Sequence, residues 1–260
     1  MEQNQDETQK IIEYVRTDSS EGDIEGIEQI VTFIDPEGNR SVYYGNGDGS
    51  RIEVIMPDTT KIDVDYAKNS VEGLGYEDII LGVSSENGIL EIPEDAVKLV
   101  SEYGYSVSVT NGDMHVILDS GVVKKAESLE GDVILTVQQT TDDILTQDQQ
   151  RTIGSRYAIS VTLTVNGDTV SELEGNAEVN VSPGYAGVDV YRVEPDGSLV
   201  EIGCEYDSET GNVRFTVDHL SVYMVEPEAY HGKVFFTLSL FTVAMVLILA
   251  PVLFIRKEEW

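Results

Sequence analysis

Cysteine is almost absent from this chain of 260 residues, since Cys204 is the only one. A single cysteine cannot form an intrachain disulfide, so stability must come from a hydrophobic core. Histidine is nearly as rare: His115, His219 and His231 lie far apart, and none of them sits in a metal-binding or lipase-type motif. We therefore expect Cys204 to be a packed strand residue, and we expect no cofactor and no conventional active site.

Basic residues are scarce as well. Lysine and arginine together number 16 against 48 aspartates and glutamates, which gives a formal net charge of -32. Phosphate binding requires clustered Lys and Arg, so nucleic acid is not expected as a partner. A surface this acidic keeps a protein soluble, repels anionic lipid headgroups and attracts cations. Non-specific binding of divalent cations is therefore left open.

Long hydrophobic runs are missing except for one near the C-terminus. The 22 residues Val234–Ile255 carry no charge and are flanked by Lys233, Arg256 and Lys257. A helix of that length spans the ~30 Å hydrocarbon core of a bilayer. The alternative is a buried helix of a soluble core, but such helices usually carry a polar stripe and this run has none. The sequence predicts a transmembrane anchor that contacts the lipid bilayer through residues 234–255.

The start of the chain lacks a secretory signal, because residues 1–23 are polar and acidic with no apolar segment. Arg256 and Lys257 favour a cytoplasmic C-terminus and an extracellular N-terminal domain, by the positive-inside rule. The missing signal favours the opposite, a cytosolic domain inserted tail-first. We expect the exported arrangement at the cell membrane, with a signal upstream of this start.

Apolar periodicity divides the region before the anchor. Residues 1–27 are predicted to be a flexible acidic lead-in, in which Ile11, Ile12 and Val15 allow only a short helix. Apolar residues then recur with a period of two, which indicates β-strands. Five candidate strands separated by turns form a β unit over residues 28–90. The pattern does not show whether this unit has a core of its own.

A longer β series occupies residues 91–226. It opens with a helix, for which Pro93 suits the first turn and Gly104 suits the end. Short alternating strands follow, with turns such as Asn111–Asp113 and Asn166–Asp168 between them. Strands of this length and spacing indicate an antiparallel β-sandwich. The predicted fold class is mainly β, an antiparallel β-sandwich with one or two short helices plus one C-terminal transmembrane helix.

The order of motifs in this series is distinctive. A helix (EDAVKLVSEYG) precedes a strand pair (YSVSVTNGDMHVILD), a long strand (RYAISVTLTVNGDTVSELEG) and a closing segment that ends in FTVDHLSVYMV. With this order, residues from about Ile92 to Val225 resemble a β-rich module of S-layer-associated and cell-wall-associated surface proteins of bacteria and archaea. Such modules are structural or display units. The resemblance therefore implies a structural or adhesive role, with cell-envelope proteins or glycans as partners.

One triplet, His219-Leu220-Ser221, lies between the last two predicted strands. It resembles the self-cleavage site of GAIN domains in adhesion receptors. By that resemblance, His219 would take the proton from Ser221, and the Ser221 oxygen would attack the Leu220 carbonyl in a strained turn. The Leu220–Ser221 peptide bond would give way to an ester, which water would then hydrolyse. The chain departs from the GAIN pattern, which has cysteine pairs before the site. The alternative is a histidine that hydrogen-bonds within the sandwich.

Together these features predict a single-pass, membrane-anchored cell-surface protein that displays an acidic β-sandwich ectodomain with a structural or adhesive role in the cell envelope. It is not expected to be an enzyme. The alternative is a self-processing module that cleaves between Leu220 and Ser221. Asn39 and Asn180 begin sequons that would be glycosylated only in an exported domain. The predicted divisions are 1–27 lead-in, 28–90 β unit, 91–226 sandwich module, 227–233 linker, 234–255 transmembrane helix and 256–260 tail.

Overall fold

The computed structural model describes residues 9–16, 27–34, 40–46, 51–56, 59–62, 77–185 and 188–227, the first three ranges as backbone only. Over these residues the chain forms seventeen strands and three helices. The strands in chain order are β1 (Gln9–Arg16), β2 (Ile27–Ile34), β3 (Arg40–Asn46), β4 (Arg51–Met56), β5 (Asp78–Ser84), β6 (Ile89–Ile92), β7 (Ser106–Asn111), β8 (Met114–Leu118), β9 (Val133–Gln139), β10 (Tyr157–Val165), β11 (Asp168–Val170), β12 (Glu172–Val181), β13 (Val188–Val193), β14 (Leu199–Ile202), β15 (Cys204–Tyr206), β16 (Val213–His219) and β17 (Val222–Pro227). The helices are α1 (Glu94–Glu102), α2 (Ser120–Ser128) and α3 (Gln147–Ile153).

The described strands belong to two sheets. Sheet A has the order β1-β2-β3-β4-β5-β7-β8-β12-β16-β15. Sheet B has the order β14-β13-β17-β10-β9-β6, and β11 pairs with β10. Neighbours are antiparallel except for β4 with β5 and β5 with β7, which are parallel. The chain crosses repeatedly from one sheet to the other, so strands of the two sheets alternate along the sequence from β5 onward.

Strand alternation explains which faces meet. In β10, Ile159, Val161 and Leu163 are buried, while Ser160 and Thr162 between them are only partly covered. Alternate residues of a strand point to opposite faces, so the first set faces sheet A. Each buried aliphatic side chain of this kind stabilises the fold by about 1.5–3 kcal/mol through removal of apolar surface from water.

A single core connects the two predicted β units. Ile52 and Val54 of β4 belong to the same cluster of contacting buried residues as Val116 of β8 and Val161 of β10. Sheet A is also continuous from β4 through β5 into β7. The residues between 51 and 90 whose side chains are described therefore share one core with those of 91–226.

Helices α1 and α2 pack against this core, and α3 packs on the other face of sheet B. Val97 and Val100 of α1 and Val122 and Ala126 of α2 all join the main cluster. On the far side of sheet B, Ile153 of α3 packs in a second, smaller cluster with Ala158, Val193, Val222 and Met224. Both faces of sheet B are thus partly covered.

Two elements differ from the sequence-based expectation. Gln9–Arg16 form β1 rather than a flexible lead-in, and all eight residues pair antiparallel with β2. Helix α3 was not anticipated, because seven residues with few apolar side chains give almost no periodic signal. Its only sequence mark is a capping box, in which Thr146 and Gln149 bond each other's backbone N–H groups.

The membrane part of the predicted fold class is corrected. A span needs about 20 apolar residues, and the described helices have at most nine. None of them is long and apolar enough to cross a membrane. The predicted anchor Val234–Ile255, with Lys233, Arg256 and Lys257, lies outside the described residues. Over the described residues the fold class is therefore corrected to two sheets with three short helices, none of which could span a membrane, and the predicted single-pass localisation is corrected with it.

Candidate functional site

Strand β4 directs charged side chains away from the core. Ile52, Val54 and Met56 are buried, so Arg51 and Glu53 lie on the outer face of sheet A, the face turned away from sheet B. There they meet polar residues from four other strands, and one of these residues, Glu178, also bonds Arg214 of a fifth. We call this set the polar bridge; its members are Arg51, Glu53, Asp78, Ser108, His115, Glu178 and Arg214.

The polar bridge requires a strongly curved sheet. Arg51 Nη1 lies 3.4 Å from Glu178 Oε2, although β5, β7 and β8 separate their strands. Across a flat sheet β4 and β12 would be about 19 Å apart, further than the two side chains can span together. The outer face of sheet A is therefore concave. Ile80 and Ile117 lie on this face and are only 1% and 5% exposed, which agrees with an enclosed floor.

One half of the polar bridge is a row of alternating charges. Arg51 donates through Nε to Asp78 Oδ2 at 2.9 Å and reaches Glu178 on its other side. Glu178 Oε1 also accepts from Arg214, at 2.9 Å from Nε and 2.7 Å from Nη2. These side chains are partly exposed, so each pair contributes no more than about 1 kcal/mol. As a row, however, they tie β5, β4, β12 and β16 together.

The other half centres on Glu53, whose side chain is only 14% exposed. Its Oε1 accepts a hydrogen bond from the Ser108 hydroxyl and lies 2.8 Å from His115 Nε2. Burial alone would raise the pKa of Glu53. The hydrogen bonds from His115 and Ser108, with the charges of His115 and Arg51, outweigh burial and hold this pKa below its ordinary value. The carboxylate is thus stabilised in its ionised form.

Gly82 of β5 makes room for this contact. A Cβ atom at this position would lie 3.1 Å from Glu53 Oε1 and would overlap the Ser108 hydroxyl. Glycine within a strand commonly marks a place where other atoms approach the backbone closely. The absence of a side chain here lets Glu53 cross β5 to reach Ser108 and His115.

The contacts of the polar bridge are those of a structural link between strands rather than of a serine nucleophile with its base. A serine nucleophile needs its base within hydrogen-bond reach of the hydroxyl. Here the Ser108 hydroxyl donates to Glu53, and Ser108 is fully buried. Among the contacts of the described residues, no hydrogen bond joins Ser108 to His115. The carboxylate is the centre of the arrangement, and it holds three strands to one another.

The triplet His219–Ser221 forms the connection from β16 in sheet A to β17 in sheet B. Leu220 is 5% exposed and belongs to the main core, and its backbone N–H donates to Ser171 O at 2.8 Å. The hydroxyl of Tyr223 donates to the His219 carbonyl. Within this described segment no hydrogen bond joins the His219 ring to Ser221, and none of the three residues has positive φ. Self-cleavage stays a prediction that this geometry does not favour.

The remaining predicted site residues are dispersed. Asn180 lies half-buried in β12, next to His115 and Arg214 in the sheet register. Cys204 is half-buried in β15, where burial raises the pKa of its thiol. Asn39 and the anchor residues lie outside the described ranges. In the part of the chain that the structure describes, no group of three or more His, Cys, Asp or Glu side chains is placed to hold a metal ion.

Sequence reasoning did not find the polar bridge. Glu53 and His115 are 62 positions apart, and Arg51 and Glu178 are 127 apart. Alternation in β4 could have placed Arg51 and Glu53 on the non-core face. Their partners depend on strand order and sheet curvature, for which no local pattern exists.

Neither a scan against protein-family models nor a search of the curated proteins finds a match to this chain.

Proposed function

We propose that this chain is a structural module: a rigid, acidic β-sandwich body with a structural or adhesive role in a cell envelope. The observation that carries the proposal is the polar bridge. It joins β4 to β8 and β12 across the outer face of sheet A, while the shared core joins the same strands on the inner face. Two β stretches distant in sequence are thereby held on both sides, as a rigid spacer or display unit requires.

The placement of β17 supports a role in bearing force. This strand lies inside sheet B, paired over six residues with β13 and over four with β10. A pull on the chain after Pro227 would have to shear both ladders together. A peripheral strand would peel away one hydrogen bond at a time, so a central strand is the stronger attachment point.

The charge of the chain supports display in solution. A net charge of -32 makes copies of the chain repel one another and keeps the body soluble. The resemblance of residues 92–225 to S-layer-type and cell-wall-type modules supports the same role. Envelope proteins or glycans remain the proposed partners.

Single-molecule force spectroscopy of the full chain, held at its two ends, tests the structural role. One cooperative unfolding event is expected, releasing roughly 750 Å of chain, because the two sheets extend from residue 9 to residue 227 and each residue adds about 3.5 Å when extended. Arg51→Gln should lower the force or split the event, since it opens the polar bridge. Arg151→Gln, at an exposed arginine of α3, is the matched control and should change neither. Two separate events in the unmodified chain would contradict the proposal.

A further inference from the structure

A polar cavity lies at the edge of sheet A where its parallel strands end. Strands β4, β5 and β7 run in the same direction, so their carboxyl ends reach the same edge. Two segments leave this edge and cross to sheet B. In the first, Thr60 O accepts from Glu91 N of β6 at 2.6 Å; in the second, Gly88 O accepts from Val137 N of β9 at 2.8 Å. The cavity lies between these two crossings.

The cavity is large enough for a small molecule. Its volume is about 640 Å³, within the usual range for ligand sites. The described residues that line it are Thr59, Thr60, Ser84, Ser85, Glu86 and Asn87. Carboxyl ends of parallel strands are a common location for binding sites, because several loops converge there.

One wall of the cavity is held in place by its own hydrogen bonds. Ser85 is buried, its Oγ lies 2.5 Å from Asn87 Oδ1, and both oxygens accept from Ile89 N at 3.2 Å. Ser85 N donates in turn to Thr110 O at 2.9 Å, which fixes the turn to β7. The wall is therefore already formed without a ligand.

Other polar groups of the cavity have no hydrogen-bond partner among the described residues. The side chains of Thr60, Ser84 and Glu86 make no hydrogen bond to any residue that the structure describes, and neither does Nδ2 of Asn87. These groups offer two hydroxyls, one amide donor and one carboxylate acceptor. They match a ligand that carries several hydroxyls, each able to donate and accept.

The charge and polarity of the lining residues disfavour some classes of ligand. Glu86 is the one charged residue among the described lining residues and is negative, which disfavours anionic ligands. The nearby Lys61 directs its Nζ to Glu91, at 3.7 Å. The described lining has no large apolar side chain, which disfavours lipids. We propose that this cavity is a binding site for a neutral carbohydrate, one or two sugar units long. The site does not depend on the proposed structural role.

An NMR titration of the ¹⁵N-labelled full chain tests the proposal. The probes are cellobiose, maltose and N,N′-diacetylchitobiose, with galacturonic acid as the anionic comparison, each up to about 10 mM, which would fill roughly 90% of a site of 1 mM Kd. At least one neutral disaccharide should give saturable shifts of the amides of 59–62 and 84–88. Galacturonic acid should give none.

Two matched variants show whether the amide shifts arise from binding in the cavity. Ser84→Trp fills the cavity from an exposed strand end and should abolish the shifts, whereas Thr169→Trp, at an exposed site in β11, should leave them unchanged. Amides outside the cavity should keep their positions in Ser84→Trp, which shows that the variant is folded. The proposal is overturned if no neutral disaccharide shifts these amides, if galacturonic acid binds as well, or if the shifts persist in Ser84→Trp.

Discussion

At the scale of single residues, Glu53 decides how the concave face of sheet A is held. A carboxylate this well buried is costly unless it is paired and hydrogen-bonded. His115 and Ser108 supply that compensation from two other strands. The gain from these partners outweighs the cost of burying the charge, so the contact favours the arrangement of β4, β7 and β8 in which all three side chains meet.

The lowered pKa of Glu53 predicts an acid-dependent loss of stability. A carboxyl group whose folded-state pKa is depressed contributes stability that is present above the unfolded pKa, here near 4.5, and is lost as pH falls through the folded value. Between about pH 5 and 3, urea-unfolding free energies should therefore fall more steeply for the unmodified chain than for Glu53→Gln. At neutral pH, Glu53→Gln should cost about 1–2 kcal/mol.

Glu209→Gln is the control for that comparison, because Glu209 lies in an exposed turn. The unfolding free energy of Glu209→Gln should depend on pH in the same way as that of the unmodified chain. If the Glu53→Gln profile is parallel as well, Glu53 does not carry the acid sensitivity.

Gly82 offers a second test at the residue scale. Gly82→Ala should destabilise the fold by about 1–3 kcal/mol, because the added methyl group overlaps the Ser108 hydroxyl in a packed site. Ser108→Ala should relieve part of that cost, so the double variant should lose less than the two single variants summed. Chemical denaturation of the four chains gives this coupling.

Gly203→Ala is the matched control for the overlap. Gly203 has open space where a Cβ would lie and does not require positive φ. Its substitution should change the unfolding free energy by only a few tenths of a kcal/mol. Strict additivity of Gly82→Ala and Ser108→Ala would show that their side chains do not meet.

At the scale of elements, the connection between β16 and β17 gives the His-Leu-Ser triplet a structural role that needs no self-cleavage reaction. The chain passes from sheet A to sheet B at this point, and the buried side chain of Leu220 packs into the core there. The backbone of Leu220 is fixed by Ser171, and the Tyr223 hydroxyl is fixed on the His219 carbonyl.

This element predicts an intact chain. Mass spectrometry of the purified protein should show one species and no fragment that begins at Ser221, because no hydrogen bond joins the His219 ring to the Ser221 hydroxyl in this described segment. Leu220→Ala, in contrast, should cost about 2–4 kcal/mol through the cavity it leaves. A fragment beginning at Ser221 that disappears in Ser221→Ala would establish the self-processing alternative instead.

At the scale of the whole molecule, local patterns and long-range contacts were unequally predictable. The alternation in Tyr157–Val165 and the turn at Asn111–Asp113 predicted β10 and the β7–β8 hairpin, because these signals lie within a few residues. The start of α1 after Pro93 was equally local. These elements follow from strand period and turn chemistry alone.

The arrangement of the strands was not predictable in the same way. Nothing local in the sequence separates the strands of sheet A from those of sheet B, because both show the same alternation. The curvature that brings Arg51 to Glu178 arises only when strands far apart in sequence are packed together. The polar cavity likewise appears only once Thr60 and Ser84 are placed at the same edge.

The central claim is that the residues described from 51 to 227 behave as one body, locked by the shared core and the polar bridge. Native-state hydrogen exchange of the full chain in low urea tests it most directly. The slowest amides of β4 and β5 should open with the same free energy and the same urea dependence as those of β10 and β17. Arg51→Gln should lower the opening free energy of the amides in all four strands by the same amount. If β4 and β5 open at a free energy several kcal/mol lower while β10 and β17 stay protected, the chain is two bodies and the account is wrong.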